Sequence, residues 1–258
     1  MRLIDLSSAI DAAAYEPDPI EHNVLTPRQG ALHMQSEMRS HFGLEFDPDV
    51  LPDGEFLSLD RLSLTSHTGT HVDAPSHYGS RTTYGDGTPR HIDEMPLEWF
   101  LNPGVVLDLT GYGTGVVGAA DVEKEFARIG HTPRDGEIVL LNTGAQDRAG
   151  TPAYFTDFVG LDASAVHLLL DLGVRVIGTD AFSLDAPFND ILERYRRTGD
   201  RSVLWPAHFA GRHREYCQIE RLANLSLLPA YGFQVCCFPV KITGAGAGWT
   251  RAVALLED

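Results

Sequence analysis

Basic side chains are scarce in this sequence. It has 20 Lys and Arg residues against 36 Asp and Glu residues, for a formal net charge of -16. Because neutralising phosphate groups requires clustered Lys and Arg, this balance argues against nucleic acid or an anionic membrane as the partner. No apolar run approaches the roughly 18 residues of a membrane span, and the opening MRLIDLSSAI lacks the long apolar stretch of a secretory signal. We therefore expect a cytoplasmic protein.

Cysteine is also scarce. The chain has three cysteines, an odd number that does not build a disulfide framework: Cys217, Cys236 and Cys237. We interpret them as small buried residues, because none lies near the histidine-rich stretch where a thiolate-bound structural zinc would be expected. With 43% apolar residues in 258 positions and no linker composition, the chain can bury a core as one domain, residues 1–258.

The apolar pattern predicts an α/β domain with a mixed sheet. Strands are predicted over residues 2–6, 59–67, 105–109, 137–144, 233–242 and 251–256. Helices are predicted over residues 30–43, 119–130 and 214–225, and a helix, a turn at Gly173 and a strand over residues 164–182. Residues 15–57 form a polar arm rich in Pro, Asp and Glu that contains the first of these helices.

The stretch SHTGTHVDAPSH, residues 66–77, concentrates groups that bind metals. Within eleven positions it holds three imidazoles and a carboxylate: His67, His71, Asp73 and His77. Gly69 and Pro75 disfavour a helix, so we predict a turn in which glycine lets two imidazoles converge. Two imidazoles with a carboxylate form a ligand set that zinc, manganese and iron all accept. Ordinary polar loop residues are the alternative.

One segment rarely completes a metal site, so distant ligands are needed. The candidates are His208 and Glu220, with His213 as a rival imidazole. Glu220 lies among apolar neighbours in a predicted helix, where a buried carboxylate would need a partner. The alternative for Glu220 is a solvated helix residue.

Polar residues also follow the strand predicted before residue 180. These residues are Asp180, Ser183 and Asp185. Because they lie where a strand meets its loop, we expect one of them to hydrogen-bond to a metal-binding imidazole and orient it.

Seven aromatic residues near the motif segments could hold a planar ring: Phe42, Phe46, Trp99, Phe155, Phe182, Phe188 and Trp205. The candidates for substrate binding are Phe42, Trp99, Phe182 and Trp205, together with His213. The alternative for each aromatic residue is ordinary core packing.

The motif HTGTHVDAPSH resembles the HxGTHxDxPxH signature of the metal-dependent cyclase family, which includes bacterial kynurenine formamidases, isatin hydrolases and actinomycete polyketide cyclases. The resemblance covers nearly the whole chain. Beyond the motif it extends to IDLS, LLNTG (140–144), GTDAFSLDAPF (178–188), the interval 208–220, LANL (222–225) and the closing PVKITGAGAGWTRAVAL.

The resemblance implies a swivelling β/β/α fold and a homodimer or higher homo-oligomer, with the arm at 15–57 contacting the neighbouring subunit. It further implies that one divalent metal, zinc or manganese, is held by three ligands: His67, His71 and Asp73. In members with two metals, the second would be held by Asp73, His208 and Glu220. His77 would be the catalytic acid and base.

These residues imply a hydrolase that cleaves an amide or lactam C–N bond, other than a peptide bond, in a small aromatic substrate. An arylformamidase or an isatin hydrolase would be such an enzyme. The same groups could close a polyketide ring by aldol chemistry, since a metal that polarises a carbonyl also stabilises an enolate. The non-enzymatic alternative is a module that binds a structural metal.

Overall fold

A computed structural model describes residues 1–257, whose contacts divide into two compact units. One unit is residues 11–65, and the other is residues 1–10 with the chain from 66 onward.

The described helices are Pro27–Phe42 (α1), Ala119–Ile129 (α2), Ala163–Asp171 (α3), Phe188–Thr198 (α4) and Pro206–Ala210 (α5). The described strands are Arg2–Asp5 (β1), Glu21–Leu25 (β2), Leu59–Ser63 (β3), His71–Asp73 (β4), Leu101–Asp108 (β5), Gly115–Val117 (β6), Ile138–Asn142 (β7), Val159–Leu161 (β8), Val176–Thr179 (β9), Cys217–Glu220 (β10), Tyr231–Cys236 (β11), Ala247–Trp249 (β12) and Val253–Leu256 (β13).

The larger unit is built on a mixed sheet. Among the described residues its strand order is β1-β13-β11-β5-β7-β9-β10-β4-β12. The central strands β5, β7, β9 and β10 run parallel, whereas β10, β4 and β12 pair antiparallel. The predicted α/β class with a mixed sheet is therefore confirmed.

The central strands are buried on both faces, as parallel strands usually are. Along β5, Val105 and Leu107 face a core that α2, α3 and α5 cover, whereas Val106 faces a second core on the opposite side. The same alternation in β7 sends Leu141 to the helical side and Leu140 to the other. Side chains alternate faces along a strand, so each central strand serves two cores at once.

The prediction of a helix over residues 214–225 is wrong. Cys217–Glu220 forms β10, which pairs with β9 on one side and with β4 on the other. Cys217 and Ile219 face the second core while Gln218 lies between them on the other face, a period of two rather than three to four. Apolar residues at 222 and 225 extended the pattern to a spacing typical of a helix. In the structure, pairing of β10 with strands on both of its edges outweighs the local helix propensity.

Most other predicted elements are confirmed with shifted ends. The strand predicted over 59–67 ends at Ser63, and the strand predicted over 233–242 ends at Cys236, ahead of Pro239, which cannot donate to a ladder. Gly130 closes α2 in the left-handed region at φ 66°, as predicted. Cys217 and Cys237 are buried and Cys236 is partly buried, all three as free thiols.

The smaller unit, residues 11–65, contains α1 and the antiparallel pair of β2 and β3. Thr26 and Gln29 form a capping box at the start of α1, and Gly43 ends the helix at φ 65°. The helix predicted over 30–43 is thus confirmed and begins earlier, at Pro27. The dimer contact expected of the arm at 15–57 stays a prediction.

No helix among residues 1–257 combines the length and the apolar character that crossing a membrane requires. The expected cytoplasmic location stays a prediction.

Candidate active site

The short strand β4 places two predicted ligands on one face. His71 and Asp73 are two residues apart and fully buried, while Val72 between them packs into the opposite core. In the antiparallel register Glu220 of β10 lies directly opposite His71, and its side chain is also buried. Pairing between β4 and β10 therefore brings Glu220 to the motif across some 150 positions of sequence.

A turn directs His67 toward the same point. Gly69 has φ +68°, a conformation that L side chains rarely adopt, and a Cβ there would lie 2.8 Å from Cγ1 of Ile10. The turn brings His67 Nδ1 to 3.1 Å from His71 Nε2, so the predicted convergence of the two rings is observed. His71 Nδ1 lies 2.9 Å from the Gly69 carbonyl, which can only accept, so Nδ1 carries a proton and Nε2 is the ring nitrogen that faces Asp73.

Asp185 holds the third imidazole of the centre, His208. Its carboxylate accepts from the backbone N–H of Ala207 at 2.6 Å and of His208 at 3.1 Å, at the start of α5. The same carboxylate lies 2.5 Å from His208 Nδ1, which leaves Nε2 of the ring at 3.8 Å from Asp73 Oδ2 and from Glu220 Oε1. Of the polar residues after β9, Asp185 is the one that contacts a candidate metal-binding imidazole in the expected way.

The carboxylate of Asp73 provides a test of whether these residues fit a cation. Both oxygens are buried, and neither accepts a hydrogen bond from a described residue. His67 Nδ1 lies 3.0 Å from Asp73 Oδ1 and His71 Nε2 lies 3.4 Å from the same oxygen, so imidazoles surround the carboxylate. A buried, unbonded carboxylate is costly unless a positive charge faces it, so the arrangement fits a divalent cation.

Two groups of side chains have ligand atoms that all lie within 4.8 Å of one another. They are His67 with Asp73 and His77, and His71 with Asp73 and Glu220. Asp73 belongs to both groups, as expected for a carboxylate that could touch two cations. His77 Nε2 lies 4.0 Å from Asp73 Oδ2, so distance alone does not separate it from the ligands.

The pKa values reflect crowding of like and unlike charges. Burial would raise the pKa of Asp73, but the charges of His71 and His77 and the close polar contacts of His67 and His71 together outweigh burial and lower the pKa well below the usual value. Burial, and then the negative charge of Asp73, raise the pKa of Glu220. Two carboxylates in one buried cluster thus repel each other, and a cation between them would relieve that repulsion.

The imidazoles shift in opposite directions. Burial lowers the pKa of His77 to about 4, although 35% of its side chain remains exposed. Burial opposes the charged form of His208 as well, but the hydrogen bond and charge of Asp185 outweigh it and raise the pKa to about 9. In the metal-free chain His77 is therefore the neutral imidazole at pH 7.

A cavity of about 330 Å³ opens above these groups. Its polar lining includes His67, His77, His208 and Glu220. Its opposite wall is aromatic and contains Phe182, Phe188, Trp205 and Phe209. Edge-to-face contacts join Phe182 to Phe188 at 5.6 Å and Phe188 to Trp205 at 5.2 Å between ring centroids. Two candidate substrate-binding residues, Phe182 and Trp205, thus lie in this cavity.

Trp99 and His213 do not line this cavity, and their role in substrate binding stays a prediction. They line a separate cavity with Tyr84 and other residues. The guanidinium of Arg90 lies 5.7 Å from the centre of the Trp99 ring, and His213 Nδ1 lies 3.2 Å from the Thr83 hydroxyl, so each has local partners there. Phe42 belongs to the smaller unit, at the end of α1, with 68% of its surface exposed.

Three residues that line the cavity were not among the predicted substrate-binding residues: Tyr78, Ser183 and Phe209. Tyr78 follows His77 directly, and its ring lies edge-on to His208 at 5.6 Å. Phe209 follows His208, and Ser183, predicted only to hydrogen-bond to an imidazole, follows Phe182. Each of the three residues is therefore next in sequence to a predicted site residue, and this adjacency is the signal that could have identified them.

We predict that Asp185→Asn lowers metal affinity or kcat by about 10- to 100-fold, because an amide nitrogen cannot accept from His208. Affinity is measured by competition with a chelator, and kcat on the metal-loaded protein. Asp162→Asn is the matched control, since Asp162 accepts from Ala165 N at the start of α3 and touches no imidazole of the site. Equal metal affinity and kcat in both variants would contradict a positioning role for Asp185.

Fold and site together define an α/β protein with imidazoles and carboxylates gathered beneath an aromatic cavity. A family described as putative cyclase matches residues 4–186, which is more than half of the chain. Kynurenine formamidase from Maricaulis maris (strain MCS10) is 30% identical over 197 residues, 76% of this chain and 80% of the relative. Kynurenine formamidase from Salinibacter ruber (strain DSM 13855 / M31) is 31% identical over 201 residues, 78% of this chain and 81% of the relative. The chain belongs to the cyclase family.

Solved structures show the same fold. Isatin hydrolase A from Labrenzia aggregata, solved with benzyl benzoate, superposes with a TM-score of 0.74 at 22% identity, over 100% of this chain and 94% of that one. The curated relatives are named enzymes, and the prediction that this chain is an enzyme of this family is confirmed.

Proposed function

We propose that this protein is a divalent-metal-dependent hydrolase of an amide or lactam C–N bond in a small aromatic substrate. The observation that carries the proposal is the buried, unbonded Asp73 carboxylate, which has four imidazoles within 4.0 Å, three of them lining an aromatic cavity. Relatives named kynurenine formamidase support the reaction class.

The proposed ligand sets are those that the family resemblance implies, and Asp73 is common to both, as it is to the two groups of side chains. His67, His71 and Asp73 would hold one ion, and Asp73, His208 and Glu220 a second, with zinc or manganese as the candidates. When bound, such an ion would supply Lewis-acid chemistry, polarising a carbonyl and lowering the pKa of water toward neutrality.

His77 is the group proposed to move protons. Its ring lies at the cavity wall, 4.2 Å from the ring of His67 and 5.4 Å from that of His208 between centroids. At the wall the unprotonated ring can accept the proton of an attacking water and later deliver it to the leaving nitrogen. Because a leaving anilide is a poor leaving group until it is protonated, the second transfer completes C–N cleavage.

The aromatic wall is proposed to bind the ring of the substrate. Phe182 and Trp205 present apolar surface opposite the ligand cluster, so a planar ring between them would hold its amide over the polar floor. The wall also excludes bulk water from the reacting bond, which strengthens every electrostatic contact there.

The test incubates the metal-loaded protein with N-formylkynurenine, isatin or an uncyclised polyketide and measures the masses of the products. We expect N-formylkynurenine or isatin to be converted to a product one water heavier. The control is the same protein after chelator treatment and buffer exchange, which should lose activity and regain it with zinc or manganese. Cyclisation of an uncyclised polyketide, without gain of water and without hydrolysis of the other two, would replace this proposal with the cyclase reaction.

A further inference from the structure

Ser183 is a polar residue of the cavity that the proposed mechanism does not use. Its side chain is buried and lines the cavity beside the aromatic wall. The Ser183 Oγ accepts the backbone N–H of Asp185 at 3.3 Å, and its own proton has no acceptor among the described residues. A buried hydroxyl normally uses its donor, so this proton is available to a bound molecule.

Most of the other polar side chains of the cavity are already occupied. The imidazoles and Glu220 belong to the candidate metal centre, and the Tyr78 hydroxyl donates to the Asp73 carbonyl oxygen at 3.4 Å. Two neutral donors of the described lining residues are uncommitted, the Ser183 hydroxyl and the indole N–H of Trp205, and of these Ser183 is the buried one. Its position is fixed close to the floor, because the next residue, Leu184, donates its N–H to Glu220 Oε1 at 3.0 Å.

The chemistry of aromatic amides suggests what this donor meets. In N-formylkynurenine and in isatin, a ketone carbon is attached to the benzene ring ortho to the amide nitrogen. That ketone oxygen accepts hydrogen bonds and lies on the same edge of the ring as the scissile C–N bond. When the amide lies over the candidate metal centre, the Ser183 hydroxyl beside the cavity floor is placed to donate a hydrogen bond to this ketone oxygen.

We propose that the Ser183 hydroxyl recognises an aryl ketone ortho to the scissile amide nitrogen by donating a hydrogen bond to its oxygen. This inference rests on the proposed function. Ser183 orients the substrate and discriminates against anilides that lack the ketone, because a site built around a hydrogen bond penalises the analogue without it.

The experiment compares N-(2-acetylphenyl)formamide with formanilide, which lacks the ketone, on metal-loaded wild type, Ser183→Ala and Ser183→Cys. Thr179→Val is the matched control, since Thr179 is buried and its hydroxyl likewise accepts a backbone N–H two residues on, from Ala181 at 3.1 Å, without lining the cavity. Thermal midpoints of all variants report folding. We expect both Ser183 variants to lose about tenfold in kcat/KM on the ketone substrate and less than about twofold on formanilide.

Equal losses on both substrates, or none on the ketone, would overturn the role of Ser183 while leaving the hydrolase intact. If wild type cleaves neither anilide, Ser183 is judged by binding alone, while N-formylkynurenine and isatin decide the proposed function separately. In that case calorimetry compares 2-aminoacetophenone with aniline on the metal-loaded protein. Ser183→Ala should weaken binding of the ketone about tenfold, and an unchanged dissociation constant would overturn the contact.

Discussion

Replacing His77 with alanine is expected to lower kcat by about 10²–10⁴ while the divalent-cation content of the protein stays unchanged. The reason is that His77 is proposed to transfer protons, whereas the neighbouring residues are proposed to bind the metal. His67, His71 and Asp73 approach one another at 3.0 to 3.4 Å, whereas His77 reaches Asp73 only at 4.0 Å and keeps 35% of its side chain exposed at the cavity. A ring in that position can exchange protons with substrate without being needed to hold an ion.

The measurement pairs steady-state kinetics with elemental analysis of the same preparations. His167→Ala is the control, because His167 lies on α3 and is partly exposed away from the cavity. It should keep both metal and kcat. Loss of metal from His77→Ala would assign His77 as a ligand, in keeping with its grouping with His67 and Asp73, and would remove it as the acid and base.

Local pattern in the sequence predicted the turn at Gly69 but not the strand β4 that follows it. As a strand, HVD places His71 and Asp73 on one face, but three residues are too short a run for alternation to be recognised. The turn depends on constraints within a few residues, so the sequence carries it. The same holds for α2 and its end at Gly130, where periodicity and a left-handed glycine agree.

Long-range pairing was harder to predict. Glu220 was singled out as a ligand for a sound reason, its apolar neighbours, but was placed on a helix. Its position opposite His71 follows from a strand register that depends on β9 and β4 flanking β10, and no short window contains that information. Trp99 and His213 line a different cavity from Phe182 and Trp205 for a related reason, because nearness to a motif in sequence does not determine which cavity a side chain faces.

Asp73 is the residue on which the metal hypothesis depends most, since both groups of candidate ligands share it. We expect Asp73→Asn to retain less than a tenth of the wild-type metal and to lose essentially all metal-dependent hydrolysis. The amide has nearly the shape of the carboxylate but no charge, so the buried imidazoles keep their packing while the cation loses its anionic ligand.

Thermal unfolding gives a readout that does not depend on catalysis. A cation that binds only the folded chain stabilises it by about 2.7 kcal/mol at a free concentration 100 times its dissociation constant, so zinc or manganese should raise the midpoint of metal-stripped wild type. Asp73→Asn should show no such rise. Asp180→Asn is the matched control, since the Asp180 carboxylate is also buried but accepts from Thr143 and Gly144. It should unfold at a lower temperature yet still respond to metal. Full metal occupancy and an undiminished rise in Asp73→Asn would show that Asp73 is not a ligand.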